Sequence, residues 1–274
     1  MIIKNLLSYW EDIEDKLPEK IVLMADHDGT LTPIVDIPGL AALSEDIRKL
    51  LIRAKKYFCV AIISGRSLSD LKKRIKVRGI YLSGNHGFEI AGPHVKLKNR
   101  KAETVSPIIH ALCGELKKRL EHIAGAIIED KGLTASLHYR LVKHEDLNEL
   151  RRIFRDVASP YLGRRMIRIT LGKKVFEIRP NYDWDKGKAV VWLMNAIGKY
   201  KEVKPIYLGD DETDEDAFAA VKKKDGISIL VSTNPGKSNA DFFLKNVDEV
   251  KEFLEKLVSH YAGKQRPIFA QPPT

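Results

Sequence analysis

Cysteine is nearly missing from this chain: only Cys59, inside the apolar run 58–63, and Cys113, on an amphipathic stretch, occur among 274 residues. A disulfide framework is excluded, and both thiols read as small buried hydrophobes. No stretch reaches the roughly 20 consecutive apolar residues that a membrane-crossing helix needs. The apolar start is followed closely by Glu11, Asp12, Glu14 and Asp15, which is unlike a secretory leader. These absences predict a cytoplasmic protein with no membrane partner. Internal repeats and low-complexity segments are lacking too, so solenoids and compositionally disordered chains are set aside. Charge, by contrast, is abundant and unequal, with 47 Lys and Arg against 37 Asp and Glu, a formal net charge of +10. Basic surfaces attract nucleic-acid backbones. Here, however, the cations alternate with acids on helical stretches such as Lys117 to Glu121 and Glu145 to Arg155, as solvated faces do, so no nucleic-acid partner is expected. Oligomeric state leaves no mark on the composition.

At 44% hydrophobic the chain can bury a full core, and short apolar runs alternate with helical periodicity from its start. Strands are expected at Ile21 to Ala25, Phe58 to Ile63 and Ile80 to Leu82, with helices near Ser44 to Lys55 and Ser67 to Arg74 between them. That rhythm predicts a parallel sheet with right-handed crossovers. From about Gly92 it changes: a helix near Glu103 to Ile123 and one near Lys143 to Ala158 flank paired strands separated by Asp130-Lys131-Gly132 and Leu171-Gly172-Lys173. Such pairs read as hairpins of an antiparallel sheet. The first rhythm then resumes with Trp184 to Ile197, Pro205 to Leu208, Thr213 to Lys223, Ile227 to Val231, Phe242 to Leu244 and a last helix from Val247 to Tyr261. The predicted fold class is α/β, a Rossmann-like parallel sheet core (residues 1–91 and 182–261) with an inserted α+β lid or cap (92–181) and a loose tail (262–274).

Chemistry-bearing residues gather where these strands end. Five apolar residues, Ile21 to Ala25, stop at Asp26-His27-Asp28-Gly29-Thr30, and Pro205 to Leu208 stops at Gly209-Asp210-Asp211-Glu212-Thr213-Asp214. The carboxyl ends of parallel strands are where open α/β sheets hold ligands. If the two strands are neighbours, Asp26, Asp210 and Asp214 converge, and crowded carboxylates call for a hard divalent cation such as Mg²⁺. A strand-terminal Ser64-Gly65-Arg66 that opens a helix has the parts of an anion site, although a plain helix cap would use the same residues. Lys186, at a helix start where the dipole disfavours cations, is placed to face anions.

These four segments, in this order, resemble the haloacid dehalogenase superfamily of phosphotransferases. By that resemblance Asp26 is the nucleophile, Asp28 the general acid and base, and Ser64 and Lys186 hold the phosphoryl oxygens. Asp26, Asp28, Asp210, Asp211 and Asp214 form the acidic set that binds or orients Mg²⁺, with the contact of Asp211 or Asp214 left open. Finer features resemble trehalose-6-phosphate phosphatases over roughly Ile21 to Leu257. They are Thr32-Pro33, Ser64-Gly65-Arg66, His86-Gly87, Glu129-Asp-Lys131-Gly, Leu137-His138-Tyr139-Arg140, Glu177-Ile-Arg179-Pro180 and the run Gly209 to Phe218. The resemblance implies a sugar-phosphate substrate and a cap whose Glu129, Lys131 and Glu177 grip sugar hydroxyls.

Gly65, Arg66, Asn85 and His86, on core loops, and His138 and Arg140, on one face of a cap strand, complete the candidate substrate-binding set. A solvated hairpin, a cross-strand ion pair or a hydrogen-bonded turn would account for several of these as well. His27 stands where the resembled family more often has an aromatic residue, and it is expected to point away from its neighbours on the pleat. Alternatives are another ester, of the sucrose or mannosyl-glycerate type, a sugar phosphomutase, and a basic binding module without catalysis.

Overall fold

The computed structural model describes residues 3–197 and 203–264. Its strands are β1 (Lys4–Asn5), β2 (Ile21–Ala25), β3 (Cys59–Ile63), β4 (Tyr81–Gly84), β5 (Glu89–Gly92), β6 (Val95–Lys98), β7 (Ile127–Asp130), β8 (Ala135–His138), β9 (Ile167–Gly172), β10 (Val175–Pro180), β11 (Lys204–Gly209), β12 (Ile227–Val231) and β13 (Phe242–Leu244). Helices are α1 (Trp10–Glu14), α2 (Glu45–Ala54), α3 (Leu68–Ile75), α4 (Arg100–Arg119), α5 (Leu147–Gly163), α6 (Lys186–Ile197), α7 (Glu215–Lys222) and α8 (Val247–Gly263). They fall into two compact units, one made of the segments up to Lys96 and from Trp184, the other spanning Leu97–Asp183.

The larger unit carries a nine-stranded sheet in the order β1-β13-β12-β11-β2-β3-β4-β5-β6. Strands β11, β2, β3 and β4 run parallel to their neighbours, and β5 turns back antiparallel on β4. Central strand β2 is buried along its whole length. Ile21, Leu23 and Ala25 join the apolar cluster shared with α2 and α8, while the equally buried Val22 and Met24 point to the opposite sheet face. Burial on both faces explains the unbroken apolar run. Helix starts follow their caps: the Ser44 hydroxyl accepts from the amide of Ile47 at 3.2 Å, and that of Ser67 from the amide of Asp70 at 3.2 Å. Each such cap contributes about 1 kcal/mol.

The smaller unit is a four-stranded antiparallel sheet, order β7-β8-β10-β9, packed on α4 and α5. Alternation sorts its two faces: Ala135, Leu137 and Ile178 are buried in an apolar cluster, and Phe176 stacks on Phe154 with ring centroids 4.4 Å apart. Ser136, Glu177 and Glu129 share the other face.

Several expectations needed correction. The hairpin of β5 and β6 and the short strand β1 are absent from the sequence reading; β6 carries the large sheet past residue 92, and the smaller unit spans Leu97–Asp183. The first three residues of α4 precede the expected start, its cap being Asn99, whose side chain accepts from Ala102. Helix α8 reaches Gly263, so residues 262 and 263 are helical, and 265–274 lie outside the described residues. Cys59 is half-buried, with burial raising its thiol to about 11, whereas Cys113 is buried and raised by burial to about 12. Among the described residues no helix is long and apolar enough to cross a membrane.

Candidate active site

Neighbouring strands deliver the acids to one edge. β11 lies beside β2 with Leu208 opposite Ala25, and β3 lies on its other side with Ile62 opposite Ala25. The residues that follow, Asp26, Ser64 and Asp210, therefore emerge together. The Asp26 amide donates to the Leu208 carbonyl at 2.9 Å, tying the two turns. Asp26, Asp210 and Asp214 each offer a carboxylate oxygen, all within 4.8 Å of one another. Two glycines make room for this. Gly29 has φ +87°, and a Cβ there would stand 2.2 Å from an oxygen of Asp210; a Cβ on Gly209 would stand 2.2 Å from the carboxyl carbon of Asp214.

Lys186, the first residue of α6, is the buried counter-charge. Its ammonium lies 2.7 Å from Asp214, 3.1 Å from Asp26 and 3.9 Å from Asp211. Burial works against that charge, yet Asp214, Asp26 and Asp211 together raise its pKa well above the lysine value. Asp26 is also raised, by burial first and then by Asp214, Asp210 and Asp211, against the pull of Lys186. Lys186 rises because three carboxylates face it, and Asp26 rises because burial and its acidic neighbours outweigh that one ammonium. Asp214, fully buried, reaches about 7 through burial and its acidic neighbours. It takes four donors: Lys186 at 2.7 Å and the Tyr207 hydroxyl at 2.6 Å on one oxygen, and the amides of Asp210 and Asp211 at 3.1 and 3.2 Å on the other. Asp211 points elsewhere, accepting from the amide and hydroxyl of Thr213 at 2.9 and 2.7 Å. Burial would raise its pKa, but Lys186 and Thr213 hold it below the usual value.

Asp28 stands apart from the acidic trio. Both of its oxygens accept from Arg66, at 2.6 Å each, and His27 Nδ1 lies 3.2 Å away. Burial alone would raise this carboxyl, but hydrogen bonds from His27 and Arg66 hold it well below the usual range. Contrary to the expectation that it points away from its neighbours, His27 is buried with Nδ1 beside Asp28, because β2 ends at Ala25 and pleat alternation no longer governs the turn. Ser64, buried, accepts from the Arg66 amide at 3.2 Å. Across from this loop the His86 amide donates to the Ser64 carbonyl at 2.9 Å and the Asn85 amide to the Arg66 carbonyl at 2.7 Å, which joins Gly65 and its neighbours to the 85–86 turn. Asn85 is fully buried, and its side chain donates to Glu89 at 2.8 Å.

Within the smaller unit, cross-strand register lines up Glu129, Ser136 and Glu177 on one sheet face. The Lys131 ammonium, 5% exposed, lies 3.4 Å from Glu177 and 4.0 Å from Glu129. Ser136 donates to Glu177 at 2.7 Å, and His138 stands 3.2 Å from Glu129. Arg140 lies beyond the strand end and donates to the Lys173 carbonyl at 2.9 Å. Sequence reasoning missed Tyr207, Asp70 and Ser136. Tyr207 carried a signal, the one hydroxyl in an otherwise apolar strand, and Ser136 another, a polar residue flanked by Ala135 and Leu137.

A doubly wound parallel sheet with an inserted α+β unit, its acids at the ends of adjacent strands, has the architecture of the haloacid dehalogenase-like hydrolases. One such hydrolase, from Bacteroides thetaiotaomicron, shares the fold at 17% identity, with a TM-score of 0.60 over 87% of this chain and 99% of that one. The trehalose-phosphatase family model matches residues 24–248, and the chain belongs to that family. It is 37% identical over 267 residues to probable trehalose-phosphate phosphatase D of Arabidopsis thaliana, covering 93% of this chain and 72% of the relative. Trehalose 6-phosphate phosphatase RA3 of Zea mays is likewise 37% identical, over 90% of this chain and 72% of its own. The C-terminal domain of a C. albicans trehalose-6-phosphate phosphatase has the same fold, with TM-score 0.78 at 22% identity, covering 94% of this chain and 98% of that domain.

Proposed function

We propose that this chain hydrolyses trehalose 6-phosphate to trehalose and inorganic phosphate through an aspartyl-phosphate on Asp26, with Mg²⁺ as cofactor. The convergence of Asp26, Asp210 and Asp214 beside Lys186 carries the reading. All three offer oxygen, the donor set of a hard cation, and the excess of carboxylates over ammonium supplies the charge to hold one. Asp26 and Asp210 would hold the ion, whereas Asp214 has both oxygens taken by donors and orients Lys186 and the loop around it. When bound, Mg²⁺ supplies charge neutralisation for the phosphoryl group.

The chain's own groups do the remainder. Asp26 attacks phosphorus, and the bond to the sugar oxygen breaks with its electrons going to that oxygen, which takes a proton from Asp28. Water then attacks the aspartyl-phosphate, Asp28 accepts its proton, and phosphate leaves with Asp26 regenerated. Arg66 stabilises the ionised Asp28 that is left once the first proton has been given, the form that accepts a proton in this second half. Lys186 and the Ser64 hydroxyl bind phosphoryl oxygens as negative charge shifts among them. Glu129, Lys131, Glu177, His138 and Arg140 of the inserted unit, with Gly65, Asn85 and His86, serve substrate selection. A sugar that lacks the matching hydroxyl cannot replace the contacts these groups make with one another, which is how polar sites discriminate.

A phosphate-release screen across sugar phosphates, with and without Mg²⁺, tests this. Trehalose 6-phosphate should be favoured over sucrose and glucose phosphates by about tenfold or more, or about 1.4 kcal/mol in the barrier, and activity should depend on the cation. Equal rates on all esters would demote the protein to a general sugar phosphatase.

A further inference from the structure

The Arg66 guanidinium is committed within the protein. Its Nε and Nη2 donate to the two oxygens of Asp28 at 2.6 Å each, Nη2 also donates to the Pro38 carbonyl at 2.9 Å, and Nη1 donates to Asp70 at 2.8 Å. Those contacts use four of its five N–H groups and the whole edge that would otherwise clamp a phosphate or carboxylate ligand. The side chain is only 7% exposed. Asp70 fixes the far end of the fork: the same oxygen that meets Arg66 accepts from Arg74 Nε at 2.7 Å, and Ser67 accepts from the Asp70 amide at 3.2 Å. Arg74 in turn donates to the carbonyls of Gly39, at 3.2 Å, and Ala41. A continuous relay, Asp28–Arg66–Asp70–Arg74, thus ties the proton-carrying carboxylate to α3 and to the segment 38–41.

We propose that Arg66 and Asp70 are positioning residues that aim the Asp28 carboxylate, and that Arg66 does not contact the substrate. The inference rests on the proton-transfer reading of Asp28 given above. A planar fork holding both oxygens sets the distance and rotation of a carboxylate, which a point charge does not, so lysine is a poor replacement.

Arg66→Met, Arg66→Lys and Asp70→Asn, each alone and combined with Asp28→Asn, test the inference by steady-state kinetics and by single-turnover phosphate release from trehalose 6-phosphate with enzyme in excess. Arg66→Met should lower kcat about 100-fold, on the scale of general acid–base catalysis, and leave KM within about twofold. Arg66→Lys should fail to rescue, and Asp70→Asn should lower kcat about tenfold with KM held. In the Asp28→Asn background, neither change should cost more than about twofold further, because residues acting through one group are not additive. A raised KM with kcat unchanged, or losses that multiply in the double variant, would show Arg66 on the substrate and overturn the inference while leaving Asp28 its role. Full turnover by Asp28→Asn would instead remove the proton-transfer reading itself, and the coupling with it. Should Arg66→Met fail to fold, as judged by its thermal transition, the milder Asp70→Asn decides by the same criteria.

Discussion

The two units handle charge in opposite ways. At the strand ends of the larger unit, Asp26, Asp211 and Asp214 face the ammonium of Lys186 with Asp210 beside Asp26 and Asp214, and burial amplifies the repulsion among the acids. On the sheet face of the smaller unit, Lys131 sits between Glu129 and Glu177, the buried Ser136 donates to Glu177, and His138 meets a partly exposed Glu129. One site is held under an electrostatic load that a bound cation would relieve. The other is already internally paired, and in the proposed function its groups would exchange partners with sugar hydroxyls at small net cost. The proposed function assigns reactivity to the first arrangement and discrimination to the second.

Breaking the loaded site should give the largest effects. Asp26→Asn should remove roughly 10⁴-fold or more of the phosphate-release rate while the thermal midpoint holds or rises, since one of the crowded carboxylates is gone; retained turnover would refute its role as nucleophile. Lys186→Met should cost both activity and roughly 3 kcal/mol of stability, as breaking a buried ion pair does, read from urea unfolding; an unchanged midpoint would mean that the carboxylates do not depend on it. Against these, Glu177→Gln in the paired site should raise KM for the sugar ester about tenfold, the scale of one charged hydrogen bond, with Ser136→Ala following in the same direction more weakly. An aryl phosphate, which lacks the sugar, should be turned over by both variants at the wild-type rate. Loss on the aryl ester would erase the division of labour.

The smallest and sharpest effect concerns pH. Asp214 rises to about 7 in the folded chain because of burial and acidic neighbours. Unfolded, it returns to the ordinary carboxylate value near 3.9. Between those values the folded state binds the extra proton, so the metal-free protein should lose stability as pH climbs from about 4 to 7. Mg²⁺ prefers the ionised cluster, so its stabilisation should grow over the same interval, reaching about 2.7 kcal/mol at a hundredfold excess over Kd. Melting curves at pH 5 and pH 8, with and without the cation, measure both slopes. In Asp214→Asn the pH dependence should flatten.

How much of this was legible beforehand differs by element. Asp26 and Asp210 could be found because an apolar run that stops abruptly in acids is a local pattern, and local patterns survive in one dimension. The β5–β6 hairpin could not, since Glu89–Gly92 and Val95–Lys98 are short, half-exposed and without a long apolar signal. The grip of Arg66 on Asp28 spans 38 residues, and the Asp70 carboxylate completing it looks in sequence like any acid in the first turn of a helix. Tyr207 was hidden differently: its hydroxyl matters only because Asp214, seven positions on, folds back beneath it. Long-range pairing and side-chain direction are what the linear chain conceals.

Strand β11 sits inside the large sheet between the central β2 and β12, yet the chain reaches it only after the whole inserted unit has been made. During synthesis β2 must therefore wait, one edge open, with Asp26 exposed and its future partners unborn. A nascent chain that ends before β11 therefore lacks Asp210 and Asp214, two of the three acids that converge. It also carries an unpaired, wholly apolar strand edge that invites chaperones or misassociation until residue 209 emerges.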